Sequence, residues 1–66
     1  MSLRQQKVFI ETRKGRVPVI FTVPAGATQV EVAIKARDSG FRPYYVRFDP
    51  LEGVWLLKVL DWRYAA

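Results

Sequence analysis

The chain predicts a small all-β domain, and three observations carry that expectation. Apolar residues recur at every second position in one segment after another. Clusters of Gly, Pro, Asp and Ser separate those segments, and no apolar stripe of helical period runs for a useful length. Divided on these signals, the chain gives five strands with short connections, expected to be antiparallel and closed into a sandwich or a barrel.

The first strand is "KVFIET", Lys7 to Thr12, with Val8, Ile10 and Thr12 on one face and Lys7, Phe9 and Glu11 on the other. "RKG" supplies a turn in which Gly15 can take positive φ. "RVPVIFTV" returns the chain with Val17, Val19, Phe21 and Val23 on one face, so the two segments read as a hairpin. Pro18 cannot donate to a ladder, which places this strand at an edge or starts it beyond the proline. After "PAGATQ", the segment "VEVAIKA" has the cleanest alternation in the chain and predicts a third strand with Val30, Val32, Ile34 and Ala36 inward. "RDSGFRP" is a loop of turn formers, and "YYVRF" sets Tyr44, Val46 and Phe48 against Tyr45 and Arg47. "DPLEG" then turns into the longest strand, "GVWLLKVLDWRY".

That last strand is apolar on both sides. Val54, Leu56, Lys58, Leu60, Trp62 and Tyr64 alternate with Trp55, Leu57, Val59, Asp61 and Arg63. A half-buried strand needs only one apolar face, and the remaining strands supply material for about one core layer. A central or bent strand of a small barrel buries both sides. Alternatively the second side, with Leu56, Leu60, Trp62 and Tyr64, is an interface with another chain. As an edge the strand would also offer unpaired backbone to a second copy. A homodimer is the simplest partner, a different protein the next.

Sixty-six residues make one domain, expected to span 1–66 and close to the lower size limit for an unstapled core. With no Cys and no His, the chain excludes disulfide frameworks, Cys/His zinc sites and triads or dyads that need an imidazole. The six carboxylates show no spacing that pairs a general acid with a base, and "RKGR" does not make a phosphate cradle. No enzyme activity, cofactor or metal is expected. No apolar run approaches a membrane span and the start of the chain has no secretory apolar region, so a cytoplasmic location without membrane contact is expected.

Eleven Lys and Arg against six Asp and Glu leave a net charge of +5. A small basic β-domain with aromatics matches the general design of single-strand nucleic-acid binders. The candidates are Arg13, Lys14 and Arg16 at the hairpin, with Lys35, Arg37, Tyr45 and Arg47 on neighbouring strands.

"FTVPAGATQVEVA" followed by "GVWLLKVL" resembles the early-set immunoglobulin-like modules that bind glycogen and starch. Phe21, Val30, Val32, Gly53 and Trp55 fall at the positions of that family's Phe strand, V-x-V strand and G-x-W strand. The resemblance implies an immunoglobulin-like sandwich; the strand pattern by itself also fits an SH3- or OB-like barrel. The resemblance also implies an aromatic sugar platform, for which Phe41, Tyr45 and Trp62 are the candidates; Trp55 reads as core. The expected function is thus a non-catalytic protein-interaction or assembly module acting through its C-terminal strand, with nucleic-acid binding as the alternative and α-glucan binding third.

Overall fold

The computed structural model describes residues 4–60. Four strands and one helix follow in the order β1 (Gln5–Thr12), β2 (Gly15–Pro24), α1 (Gln29–Asp38), β3 (Pro43–Asp49) and β4 (Val54–Val59). The domain is predominantly β, as expected, but its architecture differs from the expected one. The strands form one sheet in the order β2-β1-β4-β3, with four strands and not five. β1 pairs antiparallel with β2 and β3 with β4, yet the central pair β1 and β4 is parallel. A parallel pair needs a crossover, and the helix lies within it. β2 and β3 are both edges, so among the described residues the sheet neither closes into a barrel nor faces a second sheet.

The expected third strand is α1. Its alternation of apolar residues is real, but only Val32 and Ala36, four apart, are buried, while Val30 and Ile34 are 66% and 51% exposed. Strong terminal chemistry decides the matter. Thr28 Oγ1 accepts from the Glu31 amide at 3.2 Å and a Glu31 carboxylate oxygen accepts from the Thr28 amide at 3.3 Å, which completes a capping box. At the other end the Gly40 amide donates to the Arg37 carbonyl and the Phe41 amide to the Ala36 carbonyl, both at 3.0 Å, with Gly40 at φ +96°. That is a Schellman motif, and it brings Phe41 against the core beside Ala36. Replacing Thr28 by Ala is expected to cost about 0.5–2 kcal/mol, read as a lower urea midpoint at unchanged slope. No change would show that the cap does not hold the helix.

The hairpin forms as expected. Thr12 Oγ1 donates to the Gly15 carbonyl at 2.8 Å and accepts from the Lys14 amide at 3.1 Å, closing the turn. Val8, Ile10 and Val23 are buried beneath the helix, with Val19 and Phe21 partly so. Pro18 lies in an edge strand, as its missing N–H requires, and the register slips between Lys7 and Phe9. Trp55 belongs to the same core at 6% exposure. Its indole N–H donates to Gln6 Oε1 at 3.0 Å, and the Phe48 ring leans on it with centroids 5.1 Å apart. Tyr44, expected inward with Val46 and Phe48, is 61% exposed because the register shifts between Pro43 and Tyr45.

β4 is apolar on both sides for a reason internal to the chain. Trp55 and Leu57 face the helix within the main core, while Leu56 lies on the opposite side of the sheet and is nonetheless fully buried. In register it sits between Phe9 on β1 and Arg47 on β3. Arg47 donates two hydrogen bonds, both 3.2 Å, to the Glu11 carboxylate. Because Glu11 is on β1, this pair arches over β4. Arg16 of β2 reaches toward the β3–β4 turn and pairs with Asp49 at 3.2 Å and with Glu52. The stems of such straps cover apolar surface while their heads stay wet. β4, the described part of the expected final strand, is central and not an edge, and its second face is covered where Leu56 stands.

Candidate binding surfaces

The structure separates the residues expected to act together. Of the expected interface, Leu56 is buried within the chain and offers no surface, Leu60 is 73% exposed, and Trp62 and Tyr64 lie outside the described residues. Of the sugar candidates, Phe41 packs against the core behind the helix, Tyr45 is 48% exposed, and Trp62 also lies outside the described residues.

The cations expected to meet nucleic acid fall into three places. Arg16 and Arg47 are the straps just described, each engaged with carboxylates. The hydrogen bond to Glu11 raises the Arg47 guanidinium above its ordinary pKa. Lys35 is on α1 and its ammonium donates to the Thr22 carbonyl at 3.0 Å. The platform expected from adjacent strands, with Lys35 and Arg37 beside Tyr45 and Arg47, is not formed, because Lys35 and Arg37 are on α1, which packs on the sheet face opposite the one that carries Leu56 and Arg47. Arg13, Lys14 and Arg37 remain exposed.

Two surfaces take their place. The first is the edge strand β2. From Val17 to Val23 it carries no charge, and Ile20, pointing away from the helix, is 99% exposed. The strict alternation of Val17, Val19, Phe21 and Val23 toward the core already implied that Ile20 points out. The second is the end of the sheet where β1 and β4 finish and β3 begins. A concavity of about 600 Å³ there is lined by Thr12, Arg13, Tyr44, Lys58 and Leu60, with Glu11 beside them. A neighbouring one of about 450 Å³ shares Tyr44, Lys58 and Glu11 and adds Tyr45 and Arg47. The Leu60 amide donates to the Arg42 carbonyl at 3.0 Å, bringing the start of β3 to the same end. Arg42 and Arg37 line a third concavity. Lys58 lies 5.7 Å from the Tyr45 ring centroid, within cation–π reach. Sequence reasoning did not select Arg42, Tyr44 or Lys58; the antiparallel β3–β4 pairing sets them side by side, and the parallel β1–β4 pairing brings the β1–β2 turn with Arg13 to the same end.

Among the described residues, no group of three or more Asp and Glu is placed to hold a metal, and no helix is long and apolar enough to cross a membrane. Glu11, Asp49 and Glu52 are engaged in ion pairs and Glu31 in the capping box. Compared with known proteins, this chain matches no family model, no curated protein and no solved structure.

Proposed function

We propose that this chain is a non-catalytic interaction module that assembles with a second copy of itself through edge strand β2. The observation that carries this reading is the uncharged edge from Val17 to Val23 with Ile20 fully exposed on it. Edge strands exposed in this way pair with further strands unless charge, proline or bulging prevents it. Pro18, Pro24, the register irregularity that falls on Val19 to Phe21, and the Lys35 ammonium on the Thr22 carbonyl all narrow the available stretch, but Val19 to Val23 carries no charged side chain of its own. The other edge, β3, carries the charged Arg47 and Asp49 toward its end, and its Val46 carbonyl already accepts from the Gln29 side-chain amide. Antiparallel pairing of two β2 strands about a two-fold axis would continue one sheet through both copies. It would also bring the two Ile20 side chains alongside each other across the new strand pair, at about 0.2–1 kcal/mol for such a cross-strand contact. The non-catalytic part of the reading rests on the carboxylates, most of which are committed to ion pairs and to a helix cap.

Light scattering across a concentration series tests the reading. The native chain is expected to self-associate, and Ile20→Lys to shift it to monomer with an unchanged circular dichroism spectrum. A native chain that stays monomeric, or an Ile20→Lys assembly as tight as the native one, would overturn it. Loss of assembly in Leu60→Lys alone would assign the contact to the C-terminal end instead.

A further inference from the structure

Charge is unevenly distributed along the molecule, and the basic end coincides with exposed aromatic rings. Asp49 and Glu52 sit in and beside the β3–β4 turn and Glu31 in the first turn of α1. At the opposite end of the sheet stand Arg13 and Lys14 in the β1–β2 turn, Arg42 before β3, Lys58 near the end of β4, and Arg37 in the last turn of α1. All five are exposed, and Tyr44 and Tyr45 are 61% and 48% exposed between them. Among the described residues, the acids near this end are Glu11, bound to Arg47, and Asp38, on the last turn of the helix.

We propose that this end binds single-stranded nucleic acid. Arg13 and Lys58 meet phosphates around the shared concavities and Arg42 meets one in the adjoining concavity before β3, while Tyr44 and Tyr45 stack on bases. The argument for a nucleic acid over an acidic peptide is the pair of tyrosines. Cations alone suit any polyanion, whereas rings exposed among them offer the flat apolar contact that a base supplies. The register shift at Pro43/Tyr45 contributes by bringing both tyrosines to the same concavity, which strict alternation would prevent. This site does not depend on assembly through β2, which lies along a different edge.

The test is fluorescence anisotropy of labelled oligothymidylate and oligouridylate against the native chain over a salt series. Three phosphate contacts predict a slope of log affinity against log salt of about −2, and Arg42→Ala with Lys58→Ala should flatten it by about 1.4. Tyr44→Ala should weaken binding by about 5- to 150-fold, the range expected for one lost stacking contact, while Tyr44→Phe keeps the ring and the affinity. Arg4→Ala with Lys7→Ala removes two exposed cations away from this end and should leave the slope unchanged. Circular dichroism confirms that each variant is folded. Absence of binding at low salt would overturn the proposal, as would equal loss from cations at either end. Polyglutamate binding as tightly as the oligonucleotides, with Tyr44→Ala indifferent, would overturn it in favour of an acidic protein partner.

Discussion

Replacing Val32 by Asp is expected to unfold the chain, whereas replacing Val30 by Asp is expected to leave it folded. Val32 is fully buried and Val30 is 66% exposed, so the two charges meet opposite environments. Among the described residues no cation is buried that could pair with an Asp at position 32. An unpaired buried charge costs about 3–5 kcal/mol. A chain of 66 residues has roughly 3–10 kcal/mol of total stability to lose. Urea denaturation followed by circular dichroism reads both variants. The pair also discriminates between architectures, because a strand with Val30, Val32, Ile34 and Ala36 on one face would suffer similarly from either substitution. Equal damage at both positions would count against the helix.

Leu56→Ala is expected to cost about 2–5 kcal/mol, the range for removing a buried leucine side chain. Leu60→Ala should stay within about 0.5 kcal/mol, as for an exposed side chain away from special contacts. The contrast concerns the helix-free side of the sheet. If Leu56 is covered by Phe9 and the two arginine straps, its loss lowers stability equally at every protein concentration. If it were covered by a partner, the loss would appear in the assembly equilibrium and vanish at high dilution. A Leu56→Ala variant as stable as the native chain in dilute solution would refute the internal cover.

Much of the strand content was legible because its signal is local. Val8 and Ile10, and Val17 through Val23, alternate against polar or exposed partners, and "RKG" carries the chemistry its turn uses. The helix was legible too, but from its ends and not its middle. Thr28 with Glu31, and Ser39 followed by Gly40, are start and stop signals that outrank a short run of alternating apolar residues. Read alone, Val30, Val32, Ile34 and Ala36 fit a strand. Four-residue spacing of Val32 and Ala36 fits a helix equally, with Val30 and Ile34 left to solvent.

The sequence by itself determined a compact, predominantly β domain with a hairpin at its start, Trp55 in the core and a basic surface. These follow from side-chain period, turn chemistry and composition, which are properties of neighbouring residues. Tertiary structure alone decided that β4 lies parallel to β1 in the middle of the sheet. It likewise decided that Glu11 and Arg47 meet across β4, and that Arg13, Arg42, Lys58 and the two tyrosines gather at one end. The physical reason is that strand order depends on which arrangement buries most apolar surface across the whole chain. Several pairings satisfy the same local alternation, and only the packed chain selects among them.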